Sequence, residues 1–255
     1  MSSLPEPPGF PHCARCPYLA TGPPSRCYAC AAGTLRLAGD RACPVCSQRL
    51  DGNACCANEL CLDPRRRIGR IQAIAYQSGP LRRVLYDYKF RGARGWAVIL
   101  GRLVAGWLAE HVASQPPDLI VANPGYPGSD GSRFLHAEAV LAAAAEQDRS
   151  WPVEPGVIVK LGPTARSADA PADAKRAIGR ELRGLLQIPD PSRTAGRRIL
   201  VFDDICTTGR QLDAVAGCLF DAGGAAQVDG LVLARAPWST TQWSSAQRSR
   251  RRPPR

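Results

Sequence analysis

From residue 70 to residue 235 the chain alternates two hydrophobic rhythms. Arg70-Ile71-Gln72-Ala73-Ile74-Ala75-Tyr76 alternates polar and apolar side chains, as a half-buried strand does. Gly79-Pro80 opens the next element, in which Leu81, Val84, Leu85 and Tyr88 recur at helical spacing. Val98, Leu100, Leu103, Val104 and Trp107 mark a second helix that ends before Pro116-Pro117. Leu119-Ile120-Val121-Ala122 is a short continuous apolar run of the kind found in strands covered on both faces. The same alternation predicts a helix over Ala137 to Ala145, a strand over Val157 to Val159 and a helix over Ala174 to Leu186. It ends with a strand over Ile199 to Phe202, a helix over Gln211 to Ala222 and a strand over Val228 to Leu233. Buried strands alternating with helices imply an α/β fold: a mostly parallel sheet with helices on both faces, spanning residues 63–235.

The first 62 residues follow neither rhythm, and nine of the eleven cysteines lie there. Cys13/Cys16, Cys27/Cys30 and Cys43/Cys46 are three C-x-x-C steps, followed by an irregular group at Cys55, Cys56 and Cys61. A C-x-x-C step turns two thiolates toward one point, and two steps supply the soft tetrahedral ligands of zinc. Residues 1–62 therefore read as a small cysteine-rich double zinc ribbon preceding the α/β domain. Its candidate ligands are Cys13, Cys16, Cys27, Cys30, Cys43, Cys46, Cys56 and Cys61. Cys55 and Cys56 are alternatives as the partner of Cys61, and eight ligands would hold two ions where six would hold one. The segment has few large apolar residues, so the metal's role is structural.

Charge adds a third region. Of the formal net charge of +11, part sits in Arg65-Arg66-Arg67 and part in the Arg-rich stretch 248–252, so residues 236–255 read as a basic disordered tail. No apolar run reaches the roughly 18 residues of a membrane span, and the opening residues lack a signal-peptide pattern. The expectation is a cytoplasmic protein without membrane insertion.

The chemistry concentrates in Arg197-Arg198-Ile199-Leu200-Val201-Phe202-Asp203-Asp204-Ile205-Cys206-Thr207-Thr208-Gly209-Arg210. The apolar strand delivers Asp203 and Asp204 to its carboxyl end, where open α/β sheets bind ligands. The Thr-Thr-Gly turn then leads into a helix whose free N–H groups, threonine hydroxyls and glycine suit a phosphate dianion. The acids would repel that phosphate but accept hydrogen bonds from vicinal hydroxyls, so a sugar phosphate satisfies both halves.

This stretch resembles the phosphoribosyl pyrophosphate (PRPP) signature of type I phosphoribosyltransferases. The resemblance implies that Asp203 and Asp204 hold the ribose hydroxyls, and that Cys206, Thr207, Thr208, Gly209 and Arg210 wrap the 5′-phosphate. Magnesium would accompany PRPP, with zinc confined to the ribbon. The order of parts also resembles the ComF family: a cysteine ribbon, then Lys89-Phe90-Arg91-Gly92, then Asp203-Asp204-Ile205-Cys206-Thr207-Thr208-Gly209. That likeness implies a link to competence, with single-stranded DNA and a DNA-uptake helicase as partners. The chain departs from the family after the second strand, where Ala122-Asn123-Pro124 and Ser132-Arg133-Phe134-Leu135-His136-Ala137 replace a Pro-Val-Pro ending and an Arg-Gly-Phe-Asn-Gln run; Ala165 to Lys175 replaces a later Gln/Arg/Asn-rich segment. Lys89 and Arg133 are candidate pyrophosphate contacts, and His136 is a candidate proton-transfer group. Two readings follow: a phosphoribosyltransferase with PRPP or ribose 5-phosphate as ligand, or a non-catalytic adapter that binds a nucleotide or single-stranded DNA through the cradle, ribbon and tail.

Overall fold

The computed structural model describes residues 9–39, 41–50, 56–164 and 172–237. Cys55, residues 165–171 of the variant segment and most of the basic tail (238–255) lie outside the described residues. Two short helices belong to the cysteine-rich region, α1 (Pro24–Ala32) and α2 (Glu59–Leu62). Then follow β1 (Ile71–Tyr76), α3 (Gly79–Phe90), α4 (Trp96–His111), β2 (Leu119–Ala122) and α5 (His136–Gln147). The rest comprises β3 (Val159–Lys160), α6 (Ala172–Gly184), β4 (Leu186–Gln187), β5 (Arg198–Cys206), α7 (Arg210–Asp221) and β6 (Gln227–Arg235).

The main sheet is parallel throughout, in the order β1-β6-β5-β2. Side chains alternate across a strand, and β5 shows the result: Leu200 and Phe202 enter one core, Ile199 and Val201 the other. The first core is closed by α3, α4 and α5 through residues such as Leu85, Leu103 and Val140. The second is closed by α6 and α7 through Leu182, Leu212, Val215 and Leu219. Helices therefore cover both faces, as the alternation of the sequence implies.

Three elements depart from the sequence reading, the first being the helix expected over Ala174 to Leu186, which ends at Gly184 so that Leu186 falls in β4. The strand expected over Val157 to Val159 is shorter and shifted: Val159–Lys160 pairs antiparallel with Leu186–Gln187 outside the main sheet, while Val157 and Ile158 enter the second core as loop residues. Apolar content there reports burial, which a packed loop satisfies as well as a strand. The strand expected to end at Phe202 continues to Cys206, so both aspartates are strand residues in register with β6. Hydrophobic runs stop at the first charge, whereas backbone pairing does not.

The cysteine-rich region is packed into the α/β core. Phe10, Tyr28, Ala31 and Leu35 share the first core with α3 and α4. α1 lies so close to α4 that a Cβ on Gly106 would stand 2.6 Å from the Pro24 carbonyl oxygen and 2.7 Å from Tyr28 Cβ. On the other side Val45 accepts a 2.7 Å hydrogen bond from the Ile71 N–H, and the Ser47 hydroxyl bridges Ile71 O and Ala73 N. No helix among the described residues is long and apolar enough to cross a membrane.

Candidate functional site

β5 is a central strand, and its carboxyl end carries the acid pair. Asp203 and Asp204 are buried, at 9% and 4% exposure, so each carboxylate needs a partner. Asp203 accepts from Asn123 Nδ2 at 2.9 Å and from the Asp204 N–H at 2.8 Å. Asp204 is paired with Lys89 Nζ, at 2.8 Å to Oδ1 and 2.7 Å to Oδ2. Burial, reinforced by the neighbouring Asp204 charge, pushes the Asp203 carboxyl up to about 7. Burial opposes the charge on Lys89, but Asp204 and Asp203 outweigh it and hold the ammonium above its usual range. The arrangement gives Asp204 a cationic partner and leaves Asp203 titratable near neutrality.

Around the pair, α3 and α5 bring a wall of rings. The buried Tyr88 donates its hydroxyl to the His136 carbonyl at 2.8 Å, and burial raises its phenol. Tyr88, Phe134 and His136 meet edge to face. Burial lowers His136, partly offset by the Asp204 charge, so the imidazole is neutral at neutral pH. Glu138, raised by burial, accepts from the Gly125 N–H at 2.7 Å and fixes the loop after β2. Arg133 is exposed on that loop. Burial, and after it the Arg133 charge, lowers Lys160, whose ammonium donates to the Thr164 hydroxyl at 2.6 Å.

The loop from Cys206 to Arg210 turns from strand to helix through Gly209, at φ 81°, in the left-handed region that glycine adopts without strain. A Cβ there would also lie 2.7 Å from Ile71 Cδ1 and from Leu60 Cδ2. Thr207 and Thr208 are partly exposed on this turn. The other two proposed cradle side chains point elsewhere. The Cys206 thiol is buried in the second core and raised to about 11 by that burial. The Arg210 guanidinium is paired with Asp63 Oδ2 at 3.1 Å. Both contribute to the loop through the backbone.

Behind this loop lies a candidate metal centre. The sulfurs of Cys43, Cys46, Cys56 and Cys61 all lie within 4.8 Å of one another. The Cys43–Cys61, Cys46–Cys56 and Cys56–Cys61 separations are each 3.7 Å. Four thiolates about 2.3 Å from a zinc ion at tetrahedral corners stand about 3.8 Å apart, so the quartet fits zinc and closes every coordination position. Of the alternatives for the partner of Cys61, Cys56 is in the quartet. Cys13, Cys16, Cys27 and Cys30 also converge, lining one small cavity with Phe10 and Leu103. Burial and then the charges of Cys30, Cys16 and Cys27 raise Cys13 to about 12. Among the described residues, only the Cys43 quartet closes to ligand distances.

Several site residues escaped the sequence reading. Asn123 was visible only as a departure from a family pattern, yet it holds Asp203. Glu138 and Tyr88 carried no motif. Arg235, fully buried, donates to the carbonyls of Cys46, Cys206 and Thr207. An arginine closing an apolar strand was the available signal.

No protein-family model matches the chain, and no curated protein matches it. Among solved structures, it is similar to an allosteric regulatory enzyme of purine biosynthesis, with 18% identity over 53% of this chain and 25% of that one, at a TM-score of 0.32. It is also similar to adenine phosphoribosyltransferase from Thermoanaerobacter pseudethanolicus, with 18% identity over 61% of this chain and 85% of that one, at a TM-score of 0.32. The chain thus spans a quarter of the length of the first.

Proposed function

We propose that the chain is phosphoribosyltransferase-like and binds PRPP, or a related ribose phosphate, on residues 203–210. The observation that carries this reading is the juxtaposition of two buried, partnered carboxylates with a left-handed glycine turn at the carboxyl end of a central parallel strand. Asp203 and Asp204 accept the ribose hydroxyls, and the N–H groups and hydroxyls of Thr207 and Thr208 hold the 5′-phosphate. Arg133, exposed on the loop after β2, is the contact for the pyrophosphate end, while the other sequence candidate, Lys89, is engaged by Asp204. In the transfer step the C1–O bond to pyrophosphate breaks with its electron pair, a nitrogen of the acceptor bonds to C1, and that nitrogen loses a proton. Asp203 and Asp204 would be the oxygen donors on the chain for a magnesium ion carried by PRPP, which would supply neutralisation of the leaving group's charge. The likeness to the ComF family adds a role in competence to this reading.

Calorimetric titration with PRPP and magnesium, with pyrophosphate release followed in parallel, tests it. The wild-type chain is expected to bind, and Asp203→Asn combined with Asp204→Asn to weaken binding at least 100-fold while remaining folded. Undiminished binding by the double variant would overturn the assignment. Binding without pyrophosphate release, for every nucleobase tried, would remove the transfer step and leave a ligand-binding adapter.

One observation favours a second activity, binding of single-stranded DNA. Tyr86 and Phe90 on α3 are 51% and 63% exposed, with ring centroids 5.3 Å apart. Arg91 lies over Tyr86, and Arg82 and Arg83 on the same helix are exposed. Stacked bases and a phosphate backbone are the chemistry such a patch accepts.

A further inference from the structure

The phosphate loop is held from behind by the thiol quartet's own segments. Arg235 Nη1 donates to the Cys206 carbonyl at 2.9 Å and to the Thr207 carbonyl. Its Nε donates to the Cys46 carbonyl at 2.8 Å, and its Nη2 lies 3.9 Å from the Cys46 sulfur. Asn58, between Cys56 and Cys61, donates to the Thr208 carbonyl at 3.1 Å while its own Oδ1 accepts from the Leu60 N–H. Leu60 packs against Gly209, and Asp63 holds Arg210. Every residue of the loop therefore has a partner on the ribbon, on Asp63 just after it, or on Arg235.

The direction of these bonds matters. In a trans peptide the carbonyl and the following N–H point opposite ways. Drawing the carbonyls of Cys206 and Thr207 toward Arg235 turns the N–H groups of Thr207 and Thr208 away from it, outward, as an anion site requires. Arg235 is itself a fully buried cation whose bonds run to carbonyls and a sulfur. A zinc ion with four thiolates carries a net charge of about −2, which supplies the counter-charge this guanidinium needs.

We propose that the Cys43/Cys46/Cys56/Cys61 centre is a metal-dependent clamp on the phosphate loop, so that metal occupancy sets the affinity of the ribose-phosphate site through Arg235 and Asn58. The clamp rests on the ribose-phosphate reading for its ligand, though not for its mechanics. Coupling of this kind is reciprocal: if metal tightens the ligand, the ligand must tighten the metal by the same factor.

Amide hydrogen exchange of residues 206–210, in the full chain with zinc bound and after chelation, tests the mechanics without any ligand. Exchange at Thr207 to Arg210 is expected to rise at least tenfold on metal removal, with the amides of α5 unchanged. Unchanged loop exchange overturns the clamp, and so does an equal rise in α5, which would mean that the metal supports the whole fold. Titration with ribose 5-phosphate then reads the coupling. Affinity is expected to fall at least tenfold after chelation, and saturating ribose 5-phosphate to slow zinc transfer to a chromogenic chelator by a similar factor. Asn58→Ala is expected to retain zinc and fold but to lose most of this coupling; Arg235→Lys, which can contact fewer carbonyls at once, should lose it too. Equal ribose 5-phosphate affinity with and without zinc overturns the proposal. A chain whose loop loosens on chelation yet never binds ribose 5-phosphate would retain the clamp and lose the ligand reading instead.

Discussion

Asp203 and Asp204 were legible in the sequence because acid pairs after an apolar strand are rare and chemically costly. Their partners were not: Asn123 lies 80 residues from Asp203, and Lys89 lies 115 from Asp204. Such contacts are set by the order of strands in the sheet, which periodicity does not encode. Those partners give the pair a titration that can be measured. With Asp203 raised to about 7, the folded chain holds a proton between roughly pH 4 and 7 that the unfolded chain has released, so stability falls as pH rises through that window. The effect is at most about 4 kcal/mol, from roughly three units at 1.4 kcal/mol each. Asp203→Asn removes it, so the melting temperature of the variant should exceed that of wild type by a margin that grows from pH 5 to pH 7 and then levels off. A constant margin in thermal melts would show that Asp203 is not raised. Affinity for ribose 5-phosphate should move oppositely, weakening by up to tenfold per unit as pH drops below 7, because the hydroxyls need an ionised acceptor.

At the scale of elements, periodicity located the helices and the principal strands because each buries one stripe or alternates faces. It failed where burial and backbone pairing part company. Val157 and Ile158 are buried without being strand, while Asp203 and Asp204 are strand despite their charge. The join between β5 and α7 shows how narrow the tolerance is. Gly209→Ala would place a methyl group in the left-handed region and against Leu60 and Ile71 at once. We expect a loss of about 2–4 kcal/mol in chemical denaturation, together with loss of ribose-phosphate binding. Gly209→Asn, whose side chain tolerates positive φ, meets the same crowding and should restore neither. A stable, binding-competent Gly209→Ala would mean that the turn relaxes around the added carbon.

For the whole molecule, composition spoke of charge but not of where it gathers. The excess of +11 does not say which surface is basic, whereas the structure exposes Tyr86 and Phe90 on α3 together with Arg82, Arg83 and Arg91. If single-stranded DNA binds there, affinity should fall steeply with salt, and Tyr86→Ala with Phe90→Ala should cost about 2–4 kcal/mol by removing two stacking platforms. A salt-insensitive interaction, or one untouched by the double substitution, would assign the patch to something else. The sheet order, by contrast, left no trace in the pattern of residues, and it governs how the molecule comes into being. β1 has β6 as its main-sheet neighbour, and β6 also completes β5. The thiol-bearing turn at Cys46 leaves the ribosome long before Arg235, its partner 189 residues later. During synthesis the quartet is complete once Cys61 has emerged, whereas the guanidinium that ties it to residues 206 and 207 arrives almost with the last described residue, so the join between the two regions can form only when translation is nearly over.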